Sequence, residues 1–293
     1  MPPVSYLLTA FLLPAVIVAA ALLFARWRWI GAVAFPIAFI IAEWAIHGHL
    51  PAAPGAEAGD WIVYFAAACL VLGVLDAIFQ PSLPLRAGIL FVMALVANQV
   101  LLSKLAIATP RELWDQQTFV YLAAAVATIL WASMEGLCAR SSGAVVMAIA
   151  AIESIGAVVL LGTETTVTAS HGALALAAMT GAAMLVLLFR RGVSISRGPM
   201  LLVSFSLVEL LTYTYFYGIS LSTDCLWHGA AVLLAPVLAW AGDLPGIRRR
   251  AWSRTVARIL PVMLAVGIVA AISARNYLAG QGSEQNPYGA EQE

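Results

Sequence analysis

The chain has 293 residues, of which 62% are hydrophobic and only 10% charged, with a mean hydropathy of +0.94. Charged residues make up roughly a quarter of a soluble domain, so this composition excludes an ordinary soluble protein and points to a membrane protein. Fifteen basic residues balance fifteen acidic ones, so there is no excess of positive charge to meet nucleic acid, and no such partner is expected.

Ten apolar runs follow in chain order, each near the roughly 20 residues that cross the hydrocarbon core of a bilayer. They lie near residues 4–25, 29–47, 61–80, 86–104, 116–138, 143–162, 167–189, 198–219, 225–243 and 255–276. The predicted fold is all-α: a polytopic bundle of about ten transmembrane helices. Residues 1–276 form one membrane domain, and the polar, glycine-containing stretch 277–293 is read as a disordered tail. The first run has no Lys or Arg before it and Arg26 and Arg28 directly after it. That is the reverse of a cleavable signal's charge order, so it is read as a retained helix.

Basic residues set the orientation. Arg26, Arg28, Arg86, Arg140, Arg190, Arg191, Arg197, Arg248, Arg249, Arg250, Arg254 and Arg258 fall in or beside odd-numbered connections. Lys104, Arg111 and Arg275 are the remainder of the fifteen. By the positive-inside rule the odd connections are cytoplasmic and both termini lie outside, in a bacterial-type inner membrane. Eight of the nine tryptophans fall near predicted boundaries, where indoles favour the headgroup layer; Trp131 is the exception. The arginines at 248–250 also suit anionic lipid headgroups.

The connections are too short for a second domain. Five runs per half allow an inverted repeat, but residues 1–138 and 143–276 share no motif. Pro14, Pro36, Pro236 and Pro261 each remove a backbone hydrogen bond inside a predicted helix and favour a kink there. Ala173, Ala177 and Gly181 give the seventh run a small-residue face for close helix packing or dimerisation. Cys69, Cys138 and Cys225 show neither CxxC spacing nor an even count, so no disulfide framework or redox motif is read.

The eighth run holds the most informative residue. Ser206, Glu209, Tyr213 and Tyr217 follow at three- and four-residue steps and line one helical face, while Val203, Leu207, Leu210 and Leu211 cover much of the rest. A carboxylate at that depth costs on the order of 3 kcal/mol to insert, so Glu209 should face protein or water and have a partner. Glu153, mid-way along the sixth run, could supply it, the two carboxyls sharing a proton in a common water-accessible cavity. The structural alternative pairs Glu153 with Ser154 or a carbonyl, and Glu209 with a tyrosine.

Two further groups are polar. Toward the outer surface lie Glu43 and His47 on the second run with His49 just after it, His171 at the start of the seventh, and Asp224 and His228 at the start of the ninth. Acid and histidine four apart suit a divalent metal or a pH-sensitive gate; helix capping by Asp224 or Thr223 and interfacial histidines are the plainer explanation. Toward the cytoplasm, Asp76, Glu135 and Asp243 either extend a polar route inward or pair with Arg86, Arg140 and the arginine run. No P-loop, GxSxG elbow, HExxH or CxxCH motif is present.

Three functions fit these residues. The preferred one is a secondary transporter, coupled to protons or ions, that moves a small solute with Glu209, Glu153, Ser206 and Tyr213 as the coupling and binding groups. The second is a non-catalytic accessory or scaffold subunit with a membrane-protein partner or as a homo-oligomer. The third is a membrane enzyme or metal-binding protein built on the outer histidine and carboxylate group. No cofactor is expected beyond a divalent metal at that group.

Overall fold

The computed structural model describes residues 4–24, 29–48, 58–103, 113–163, 167–190, 198–217, 223–245, 247 and 251–284, and all its elements are helical. They are α1 (Val4–Phe24), α2 (Ile30–His47), α3 (Ala58–Phe79), α4 (Leu83–Ser103), α5 (Leu113–Arg140) and α6 (Gly143–Thr163). There follow α7 (Val167–Phe189), α8 (Gly198–Tyr217), α9 (Thr223–Leu234), a 3-10 segment (Ala235–Asp243) and α10 (Ala251–Glu284). Among the described residues eight helices, α2 to α8 and α10, are long and apolar enough to cross a membrane. This is the build of a multi-pass integral membrane protein.

Two elements differ from the sequence expectation. The ninth run is not one helix: α9 stops after 12 residues and a nine-residue 3-10 segment carries the chain on. Pro236 sits at its start, has no N–H to give to the carbonyl four residues back, and its ring crowds that carbonyl, so the α ladder cannot continue. A 3-10 run of this length is uncommon, because its hydrogen bonds are poorer than those of an α-helix. The other difference is α10, which runs to Glu284 rather than ending near residue 276. Once a helix is nucleated each further residue adds one bond, so the polar sequence continues the turn. The tail expected to be disordered therefore begins as helix, and residues 285–293 lie outside the described residues.

α8 is the axis of the bundle. It packs against α2, α3, α4, α5, α6, α7 and α9, and 83% of its membrane window is buried, against 22% for α10. Its leucine and valine positions are therefore not a lipid face: Val203, Leu207, Leu210 and Leu211 are buried like Ser206 and Glu209. A helix enclosed on all sides has no face left for lipid.

The closest backbone approach is at one end of α2, α3 and α8. A Cβ built on Gly198 would stand 2.4 Å from the Ala32 Cβ and 2.8 Å from its Cα, and the Gly73 Cα lies 3.6 Å away. Small residues let the three backbones meet. The small face proposed on α7 is only half used: Ala173 and Ala177 are buried, while a Cβ on Gly181 would meet nothing within 4 Å. Cys69 is a buried free thiol and Cys138 a partly buried one; the Cys225 side chain lies outside the described residues.

Candidate functional site

Glu209 is fully buried at the centre of α8, and its partner is Asn98 of α4. The Asn98 amide donates to Glu209 Oε1 at 2.9 Å and to its own helix at the Ala94 carbonyl at 2.8 Å. Both amide hydrogens are then in use. Asn98 Oδ1 and Glu209 Oε2 have no hydrogen-bond partner among the described residues. The buried Cys69 thiol of α3 lies within electrostatic reach of the same carboxyl. A buried charge without compensation is too costly to hold, so a carboxyl in this position carries a proton or has a cation at hand.

Two cavities adjoin α8, one toward each end of the bundle, called inner and outer after the orientation expected from the basic residues. The inner one, about 260 Å³, lies beside the α3–α4 turn and reaches Gly198 and Leu201. The outer one, about 320 Å³, lies between α5, α8 and α9 and touches Val208, Leu211, Thr212 and Tyr215. Along the helix Glu209 falls at the level of the outer set, between Val208 and Leu211, and about 12 Å by helical rise from Leu201 of the inner one. Aromatic rings close the outer cavity: Phe119 stacks on Tyr215 with centroids 5.5 Å apart and planes 6° from parallel. Of the stripe predicted with Glu209, Ser206 is buried, Tyr213 is half-buried and hydrogen-bonded or in contact, and the Tyr217 side chain lies outside the described residues.

Glu153 is fully buried on α6, and neither of its oxygens has a hydrogen-bond partner among the described residues. Ser154 does not serve it, because its hydroxyl bonds back to the Ala150 carbonyl at 2.8 Å, the usual competitor inside a helix. Glu209 takes an amide from α4 on one oxygen, and neither carboxyl lines either of the two cavities.

The outer polar residues meet only in part. Glu43 and His47 of α2 approach to 3.4 Å, as their spacing requires. The Glu43 carboxyl also packs on α7: a Cβ on Gly172 would stand 2.8 Å from Glu43 Oε1, beside the buried His171. His228 turns elsewhere, with its Nδ1 3.4 Å from the Ser273 hydroxyl of α10. Among the described residues no three His, Cys, Asp or Glu side chains gather as metal ligands. His49 and the Asp224 side chain lie outside those residues.

The inner acids are all ion-paired. Arg86 of α4 joins Asp76 of α3 (Nε to Oδ1, 2.8 Å) to Glu135 of α5 (Nη1 to Oε1, 2.6 Å), and its Nε also donates to the Pro81 carbonyl at 2.7 Å. Asp243, at the end of the 3-10 segment, meets Arg258 of α10 at 2.7 Å, with Arg140 and Arg254 farther out at 3.7 and 3.9 Å. Arg258 is itself buried and caps the end of α5 through the Arg140 carbonyl, 3.1 Å away, and the Ser141 hydroxyl. Trp240 anchors this corner, donating to Ser133 at 2.9 Å and lying under the Arg140 guanidinium at 4.6 Å. These acids hold helix ends together, as the pairing with Arg86 and Arg140 anticipates.

Asn98 is the site residue that the sequence reading omits. Its signal was present, since a carboxamide within an otherwise apolar α4 needs a partner as a carboxylate does. No protein-family model, curated protein or solved structure matches the chain.

Proposed function

We propose that the chain is a secondary transporter coupled to protons or ions, with Glu209 as the coupling carboxyl and a small solute as its cargo. One observation carries this reading: a fully buried carboxyl, one oxygen on Asn98 and the other without a hydrogen-bond partner among the described residues, stands on the central helix at the level of the outer cavity and about 12 Å by helical rise from Leu201 of the inner one. A carrier needs such an exchangeable charge, reachable from each side in turn but from neither continuously.

The membrane arrangement belongs to the same reading. Ten crossings, with α1 and the broken α9 and 3-10 pair added to the eight long helices, go with both termini outside and twelve of the fifteen basic residues inside. By rise alone α9 gives about 18 Å and the 3-10 segment about 18 Å more, enough together to span a core of about 30 Å. The break at Pro236 is the feature common in moving transporter helices.

The test is solute-driven proton movement in liposomes, with a panel of small solutes and divalent metals under an imposed pH gradient. Wild-type protein should give solute-dependent flux, and Glu209→Gln, inserted and folded, should give none. Absence of flux with every solute would favour the accessory-subunit function instead.

A further inference from the structure

Where the ends of α5 and the 3-10 segment meet the start of α10, positive charge exceeds negative. The guanidiniums of Arg140, Arg254 and Arg258 stand 3.7, 3.9 and 2.7 Å from one carboxylate, Asp243, and three cations against one anion leave a formal charge of +2. The adjoining sequence offers no further acid to balance it. After Asp243 the next acid is Glu284, at the far end of α10, and after Glu135 the next is Glu153, mid-way along α6. Glu135 and Asp76, the other acids near this end, are bound to Arg86.

The three cations are not equivalent. Arg258 is structural: its side chain is only 4% exposed, it holds Asp243 and the end of α5, and a Cβ on Gly242 would stand 2.5 Å from its Cγ. Arg140 and Arg254 are 55% and 31% exposed, and both lie beyond hydrogen-bond reach of the carboxylate. The Arg140 guanidinium rests on the Trp240 ring and donates no hydrogen bond among the described residues. Arg254 Nε is buried and has no acceptor among those residues, a costly state for a charged donor. Two guanidiniums with open donors beside one shared acid suit the oxygens of a phosphate.

Position selects the source of that phosphate. Arg140 ends the apolar span Gln117–Arg140, and Arg254 lies in the first turn of the span Ala251–Ala279, so both stand at headgroup level when these helices cross a bilayer. From there the surface continues apolar. Leu260, Leu264 and Ile268 of α10 and Val237 of the 3-10 segment are exposed, and the exposed indole of Trp252 borders the charges. A phosphate that carries acyl chains meets both surfaces, whereas a free phosphate ion meets only the charges.

We infer that this corner binds the headgroup of an anionic phospholipid, with Arg140 and Arg254 on its phosphate and its acyl chains along the exposed face of α10. The site is additional to the arginines at 248–250, which lie outside the described residues. It stands apart from the Glu209 reading, because holding a lipid requires no proton movement.

Binding of radiolabelled phosphatidylglycerol to the full chain in dodecyl maltoside tests the assignment. Expected is saturable binding at one site that neither excess phosphatidylcholine nor millimolar inorganic phosphate displaces. Arg140→Gln and Arg254→Gln should each weaken it about tenfold. Arg191→Gln, which removes a charge from another of the odd-numbered connections, should leave it unchanged. Thermal melting shows whether each variant is folded; if Arg254→Gln is not, the more exposed Arg140→Gln decides. Displacement by phosphatidylcholine would show that the headgroup charge is not read, and displacement by inorganic phosphate would make this an ion site; either overturns the assignment. So would unchanged binding in folded Arg140→Gln, or equal weakening by Arg191→Gln, which would reduce the effect to the general charge of that membrane face. Both competition measurements use the wild-type chain and stand whatever the variants do.

Discussion

Asn98 holds Glu209. The carboxamide of α4 reaches across the bundle to the carboxyl of α8 at 2.9 Å, and both side chains are fully buried. Two long helices are thereby joined at mid-depth by one polar bond, with a free oxygen left on each partner among the described residues.

Removing both partners should cost less than the two single removals added together. Asn98→Leu strands the Glu209 carboxyl in an apolar interior and should destabilise by about 1–3 kcal/mol. The double variant Asn98→Leu with Glu209→Leu should lose less than the two single changes added together. Thermal melting of the four proteins in one detergent gives the cycle, and strictly additive losses would show that the bond carries no coupling.

Arg86 should be the least replaceable charge at the inner end. It bridges two acids, with side-chain exposures of 9% for Arg86 itself, 7% for Glu135 and 21% for Asp76. Arg86→Met should cost about 3 kcal/mol, because it leaves Asp76 and Glu135 facing each other without their counter-charge. Arg86→Lys should recover only part of this, since an ammonium lacks the planar fork that serves both carboxylates. Full recovery with lysine, read by the melting midpoint, would contradict that geometry.

Two glycines test the packing at close quarters. A methyl at Gly198 would stand 2.4 Å from the Ala32 Cβ, so Gly198→Ala should destabilise by about 1–3 kcal/mol by forcing α2 and α8 apart. Gly88 is exposed in α4 with nothing within 4 Å of the same position. Gly88→Ala should be neutral or stabilise by up to about 1 kcal/mol. The two variants melting alike would refute the close approach.

Hydropathy made the helices legible and left their neighbours obscure. The ten runs in the sequence correspond to ten described α-helices, the ninth extended by its 3-10 segment, because a lipid-spanning segment must satisfy its own backbone and be apolar throughout. The 3.6-residue pattern on α8 suggested a polar face opposite an apolar one, yet every side of α8 is enclosed by protein, and period says little when all faces are buried. Glu209 stood out because a carboxylate is costly in lipid. Its partner did not, because spacing within one helix cannot say which helices touch: Asn98 lies 111 residues away. Glu153 was a reasonable partner on the same grounds, while Asn98 emerges only from the packing of α4 against α8. The ion pairs of Arg86 were more accessible to reasoning, since Asp76 and Arg86 flank a single tight turn.

Straightening the ninth element should disturb the inner end. Nine residues as a 3-10 helix extend about 18 Å and as an α-helix about 13.5 Å, so conversion would shorten the segment by about 4.5 Å. Pro236→Ala, by restoring the missing donor, should favour that conversion and pull Asp243 away from Arg258. Distances between spin labels on the inner ends of α5 and of the 3-10 segment would report the shift, and unchanged distances would mean that something other than Pro236 imposes the 3-10 form.

Exchange of a proton for solute at Glu209 is most directly read as proton release on solute binding. In a weakly buffered solution of purified protein with a pH indicator, adding a solute that drives flux in liposomes should release about one proton per chain from the wild type and none from folded Glu209→Gln. Release of equal size from both proteins would contradict the account, because the exchanged proton would then belong to another group.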